Sequence, residues 1–397
     1  MSDRANVGVW MSKIHNVTWV SFLFFSSLVV PMARVQAQEM PHFKVDPFWP
    51  IELPNNWILG RVAGVAIDKD DHIWVLQSPN WVIEDAATGA HNPPLSECCV
   101  PAPAVLEFDA EGNVIRTWGG RGYVPDWPTQ EHALAVDGDG DIWIGGIWGG
   151  QYPPGPEIPP ERRQVRDRQV LKFTPDGHLL LEIGHPTDSP ENNQDTTILG
   201  GPAGITVDDA AHEVYIADGS LNRRVVVYDS MTGKFKRGWG AYGIQLSEID
   251  NSRAAHYDPS APPSKQFGGM VNDVRISNDG LVYVADRTDD RVQVFTKQGK
   301  FLKEFFVSPQ TRNRGTVMTL AFSHDPAQKY LLVGDGGDCV VWILNRDDGS
   351  VAGKFGHRGY YAGQFYFIQD MATDSHGNLY TGEVNHNNRV QKFVLEK

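Results

Sequence analysis

Gly204-Ile205-Thr206-Val207-Asp208, Glu213-Val214-Tyr215-Ile216, Val225-Val226-Val227-Tyr228 and a last segment closing at Trp239-Gly240 follow one another with only turns between them. They make one phrase: an apolar stretch ending at Asp, a polar turn, an alternating strand, a third strand and a Gly-terminated fourth. Each piece is too short for a helix and rich in β-branched and aromatic residues, as strands are. The phrase recurs six times. Its other first strands are Gly64-Val65-Ala66-Ile67-Asp68, Ala133-Leu134-Ala135-Val136-Asp137, Asp273-Val274-Arg275-Ile276-Ser277, Thr319-Leu320-Ala321-Phe322-Ser323 and Asp370-Met371-Ala372-Thr373-Asp374. Second strands such as His72-Ile73-Trp74-Val75 and third strands such as Val292-Gln293-Val294-Phe295 repeat as regularly, and fourth strands end at Trp118-Gly119, Ile183-Gly184, Phe305-Phe306 and Phe355-Gly356.

Six four-stranded units with no helical period between them predict an all-β fold, a six-bladed β-propeller forming a single domain over 38–397. The competing arrangement, two separate β domains, finds no linker to divide them. The sixth unit stops at Phe393-Val394, so its fourth strand is expected from Phe43-Lys44-Val45-Asp46, which would close the ring. Insertions at 79–103, 148–167 and 241–266 are long enough to carry function.

The 397 residues hold 35 Lys plus Arg against 49 Asp plus Glu, a formal charge of −14, with 41% hydrophobic and 21% charged residues. That balance excludes disorder and a coiled coil, and leaves no basic footprint for a nucleic-acid backbone or an anionic membrane. The expectation is a monomer with no nucleic-acid partner. Lys13, the apolar run Val17 to Val30, Pro31 and Val35-Gln36-Ala37 read as an export signal over 1–37, cleaved after Ala37. The run is short for a span of about 20 apolar residues. The mature chain, secreted or periplasmic, should then hold no membrane span, an uncleaved anchor being the alternative. Cys98, Cys99 and Cys339 allow at most one bridge, and adjacent cysteines are expected to be poor partners. There is no Gly-x-Ser-x-Gly elbow, Cys-x-x-Cys, His-Glu-x-x-His or phosphate-cradling Gly loop. Asp137-Gly138-Asp139-Gly140-Asp141 lacks the closing glutamate of a calcium loop and reads as a turn.

Asn222-Arg223-Arg224-Val225, Asp290-Arg291-Val292-Gln293-Val294-Phe295 and Asn388-Arg389-Val390-Gln391-Lys392-Phe393 resemble NHL repeats. Within that group the mature chain resembles peptidyl-α-hydroxyglycine α-amidating lyase along essentially its whole length. That family of six-bladed propellers N-dealkylates a hydroxyglycine, releasing glyoxylate from an amidated product. The resemblance singles out one column, five residues before the end of each first strand: Ala63, His132, Ala203, Asn272, Met318 and Gln369. The family places a zinc-binding histidine there in every second blade. His132 matches, but Asn272 and Gln369 replace the other two, and neutral amides are poor zinc ligands, so a catalytic zinc is doubtful.

Further family positions diverge. An expected arginine corresponds to Ser78 and a catalytic tyrosine to Ser220, whose hydroxyl cannot serve as a base without an activator. Arg287 does match the family's substrate-side arginine, the alternative being an ion pair with Asp286 or Asp289. Asp370 matches the family's calcium carboxylate, with backbone carbonyl ligands mapping to Val65 and Leu134. With Asn272, Asp273 and Gln369 nearby as hard oxygen donors, the resemblance implies a calcium ion at Asp370. The alternative is a set of polar groups hydrogen-bonded across a water-filled channel.

Two classes of function follow. One is a binding protein that takes a small molecule or peptide in its central channel, or a protein partner on its loops. The other is an enzyme, amidating-lyase-like or a calcium-dependent hydrolase of the gluconolactonase-like kind, with His132 as acid/base and Arg287 holding an anionic substrate. The losses at Ser78, Ser220, Asn272 and Gln369 favour binding.

Overall fold

Six antiparallel sheets of four strands follow one another along the chain, each built from one copy of the repeated phrase. The computed structural model describes residues 40–82, 86–148, 165–252, 256–312 and 314–396. The proposed export signal, residues 149–164 of the 148–167 insertion and short pieces of the 79–103 and 241–266 insertions lie outside these residues. The innermost strands are Arg61–Ile67, Gln130–Val136, Pro202–Asp208, Val271–Ile276, Thr319–Phe322 and Ile368–Thr373. Each touches the next, and the sixth touches the first, so the six blades close a ring.

The sixth blade is completed as its missing strand requires. His42–Asp46 pairs antiparallel with Val390–Glu396, His42 opposite Glu396 and Asp46 opposite Lys392. Burial falls from axis to rim: Ile73–Ser78, a second strand, is buried throughout, whereas the outermost Val351–Phe355 is mostly exposed. Between blades, aromatic and aliphatic side chains interdigitate. Trp74, Leu76, Trp118, Trp127, Ile144 and Phe173 form one such cluster between the first two blades, each side chain contributing on the order of 2 kcal/mol.

The Asp that ends the phrase has a local cause. Asp137 Oδ1 accepts the N–H groups of Asp139 and Asp141 at 3.1 and 2.9 Å, and Oδ2 accepts Trp143 Nε1 at 2.9 Å. The 137–141 run is therefore a turn between strands. The arginine of the NHL-like phrase is structural as well. The fully buried Arg224 and Arg291 pair with Asp218 and Asp286 at 2.7 and 2.8 Å, tying the start of a third strand to the end of the second.

Inner strands run away from one end of the ring and second strands return to it, as the pairing of Arg61 with Ser78 and of Val271 with Asp286 records. Connections after second strands and after fourth strands therefore emerge at that same end. The described parts of the insertions at 79–103 and 241–266 do so, and the strand Ile142–Trp148 ends there. One of them carries a correction: Cys98 and Cys99 are bonded to each other, and Cys339 is buried and free.

Candidate functional site

One extra residue in five of the six inner strands builds most of the axial column, the fifth blade's strand Thr319–Phe322 pairing in regular register. The ladder passes from Val62 to Gly64, Glu131 to Ala133, Pro202 to Gly204, Val271 to Asp273 and Ile368 to Asp370, leaving Ala63, His132, Ala203, Asn272 and Gln369 unpaired in β-bulges. A bulge re-aims the side chain it carries. The result is a small enclosed space of about 10 Å³ bounded by His132, Leu134, Asn272, Asp273, Gln369 and Asp370 among others. That is room for about one water molecule. At this level the axis is packed, not a water-filled channel.

His132 Nδ1 lies 2.9 Å from the Ala203 carbonyl, which can only accept, so Nδ1 carries the proton. Nε2 must then be the acceptor, and Gln369 Nε2 donates to it at 3.0 Å. Asn272 Nδ2 donates to the Met318 carbonyl at 2.6 Å, while its buried Oδ1 has no protein partner. Burial foremost, together with Arg61 and Arg287, pulls the His132 imidazole down to about 3. These residues do not fit zinc: they supply one imidazole whose free nitrogen is already engaged, and two amides.

Below this layer lie Asp273 and Asp370, both buried. Asp370 Oδ2 accepts the Val65 N–H at 3.0 Å, and Oδ1 accepts Met371 N–H at 2.9 Å and Arg275 Nη2 at 2.6 Å. Asp273 accepts Val274 N–H and Leu320 N–H at 2.8 and 2.9 Å. Thr319 Oγ1 sits 3.0 Å from both carboxylates. Burial pushes both carboxyls up, Asp273 to about 6, against the pull of Arg275. The arrangement does not fit a calcium ion at Asp370. Both oxygens of that carboxylate are spoken for, one of them by a guanidinium, and Val65 approaches through its N–H.

Above the His132 layer, at the end where the insertions emerge, arginines gather. Arg61 stands opposite Ser78 in the strand pair and stacks over Trp81 at 4.6 Å. Arg287 donates through Nε to the Arg314 carbonyl at 2.7 Å, and both guanidiniums lie over the Phe367 ring at 5.7 and 5.5 Å. Asp286 and Asp289, the alternative partners for Arg287, belong to Arg291 at 2.8 and 3.6 Å. Burial brings Arg61 and Arg287 down to about 10, with Arg314 adding repulsion. The acid whose charge reaches Arg61 is the buried Glu131, pushed up by burial, whose Oε1 accepts Trp127 Nε1 at 2.8 Å. Beside the trio a cavity of about 820 Å³ is lined by Ser220, Arg223, Tyr257, Thr288 and Arg314. Ser220 Oγ donates to the Ile147 carbonyl at 3.2 Å and has no base beside it in that bond.

The structure thus gathers His132, Asn272, Gln369, Asp370 and Leu134 around one point, with Arg287 above it. Sequence reasoning missed Arg61, Arg314, Glu131, Thr319 and the role of Arg275. Arg61 had a readable signal, a cation at the start of an otherwise apolar inner strand.

No protein-family model matches the chain. It is 24% identical over 368 residues to peptidyl-glycine alpha-amidating monooxygenase of Mus musculus, covering 87% of this chain and 31% of that enzyme, and 24% identical to its Rattus norvegicus counterpart over a similar share. The chain therefore spans about a third of the length of those enzymes. It is also 25% identical over 264 residues to NHL repeat-containing protein 3 of Mus musculus, covering 65% of this chain and 58% of that one. Among the described residues no helix is long and apolar enough to cross a membrane.

Proposed function

We propose that this propeller is an exported, non-amidating binding protein that takes an anionic small molecule, or the carboxylate end of a peptide, into the mouth of its axis. The observation that carries this reading is the trio Arg61, Arg287 and Arg314. In a chain of net charge −14, the half-buried Arg61 and Arg287 and the exposed Arg314 gather at the axis and none of them makes an ion pair among the described residues; Glu131 acts on Arg61 only as a charge at a distance, and Arg61 Nε is buried without a hydrogen-bond partner. A partly buried cation without a paired counter-charge is costly. A ligand carboxylate supplies that charge and matches the guanidinium fork in bidentate geometry. The adjoining cavity has the volume of a drug-sized ligand or short peptide. Export rests on the signal-like segment 1–37 and points to the periplasm or to secretion.

The similarity to the amidating enzymes favours a second reading, a lyase. It would need a base and a metal at the axis, yet His132 offers neither a free Nε2 nor a zinc-binding set, and Ser220 is bonded to a backbone carbonyl.

Calorimetric titration with N-acetyl-Gly-Gly and with its C-terminal amide tests the proposal. The carboxylate should bind, the amide at least about 10-fold more weakly, and Arg287→Ala should weaken the carboxylate by about 10- to 100-fold, the scale of a charge-assisted hydrogen bond. Equal binding of the two peptides, or an unchanged Arg287→Ala, would overturn the anionic ligand. Glyoxylate released from an α-hydroxyglycine peptide would overturn the non-amidating reading.

A further inference from the structure

The column two residues before the end of each first strand reads Ala66, Ala135, Thr206, Arg275, Ala321 and Ala372. Five side chains are small and one is a long cation. Arg275 is mostly buried, 19% of its side chain reaching solvent. Its Nη2 meets Asp370 Oδ1 at 2.6 Å, its Nε lies 3.1 Å from both Asp273 Oδ2 and the Leu320 carbonyl, and its Nη1 is 3.4 Å from the Ile205 carbonyl. One guanidinium therefore reaches groups on the third, fourth, fifth and sixth blades. Through Asp370 the connection continues to Val65 N–H on the first.

An ion held at the axis would ask for these same groups. Calcium takes carboxylate and carbonyl oxygens, and here those oxygens already face a cation that is planar, permanently charged and rich in donors. The guanidinium already lines the space of about 10 Å³ beside the carboxylate pair, so a second cation there would face its like charge at short range. Without either cation, Asp273 and Asp370 would be buried like charges facing one another.

We infer that the Arg275 guanidinium is the built-in cation of this ring, that it and calcium are mutually exclusive occupants of the Asp273–Asp370 pair, and that the folded protein neither carries nor needs calcium there. The inference concerns the ring and stands apart from the ligand proposed at the mouth.

Elemental analysis and thermal unfolding of the full protein, purified without added metal, test it. The unmodified protein should hold well under one calcium per chain, and neither EGTA nor millimolar calcium should shift its Tm. Arg275→Ala should unfold about 5 °C or more lower in EGTA, as expected when a buried pair loses one partner, and should recover part of that loss on adding calcium while binding about one ion per chain. Stoichiometric calcium in the unmodified protein, or a Tm lowered by EGTA, would sink the inference. So would a folded Arg275→Ala indifferent to calcium. If Arg275→Ala does not fold, the measurements on the unmodified protein still decide.

Discussion

His132 is the residue on which the functional classes divide, and its two ring nitrogens have opposite, fixed duties: Nδ1 donates to Ala203 and Nε2 accepts from Gln369. Burial above all, joined by the charges of Arg61 and Arg287, disfavours the imidazolium and brings the ring down to about 3, and a second ring proton would also meet the Gln369 amide N–H. In heteronuclear NMR we expect the His132 ring to remain the neutral Nδ1–H form from about pH 8 to about pH 5, through the range where an ordinary histidine charges. A titration centred in the usual histidine range would return His132 to the list of candidate acids. Elsewhere a charge pair makes stability depend on acid. Hydrogen bonds from Arg237, opposed by burial and joined by Lys236 and the Tyr215 hydroxyl, hold the Glu213 carboxyl at about 2. A carboxylate depressed in the folded state stabilises above its unfolded value of about 4.5 and ceases to do so as pH falls toward 2. The Tm gap between the protein and Arg237→Met should therefore be open at pH 7 and narrow between those limits. A gap of constant width would mean that the arginine acts by packing alone.

At the scale of the element, strands were legible because period-two alternation and Gly-closed turns recur six times, whereas the bulges were not. A bulge adds one residue and leaves the alternation on each side intact, so the column of His132, Asn272 and Gln369 could be counted but its turn toward the axis could not be derived. Arg275 was hidden for a related reason: in Val274-Arg275-Ile276 it occupies the polar position of an alternating strand and reads as solvent-facing. Arg61 became meaningful only with the register that sets it opposite Ser78. The strand His42–Asp46 was legible by subtraction, and it permits a direct test. Phe43 packs on Phe355 at 5.2 Å, and Met40 and Val45 join the cluster around Phe365 and Phe393. A chain beginning at Pro54 loses these contacts and bares the edge of Val390–Glu396. It should be less stable than the chain beginning at Gln38 by at least about 2–4 kcal/mol for the apolar burial alone, and unfold at lower temperature when the two are compared by calorimetry. Equal stability would refute closure by this strand.

Across the whole molecule, the fold could be read because a ring of like blades repeats its own evidence, while the site could be read only in part because it is made where unlike residues from different blades meet. Asp370 and Val65 stand 305 positions apart in sequence and share a hydrogen bond. Resemblance to a family supplied the positions of His132, Arg287 and Asp370, yet the partners that decide their chemistry, Ala203, Gln369 and Arg275 among them, became readable only in the folded chain. The packed layers of the axis have a further consequence. With His132, Asn272 and Gln369 resting on Asp273, Asp370 and Arg275, the disc is a blind well and not a conduit. A guest of the kind proposed, admitted past Arg287 and Arg314, would have to depart by the same door. Its residence time would then be set on one face, and substitutions on the opposite face should leave that time unchanged.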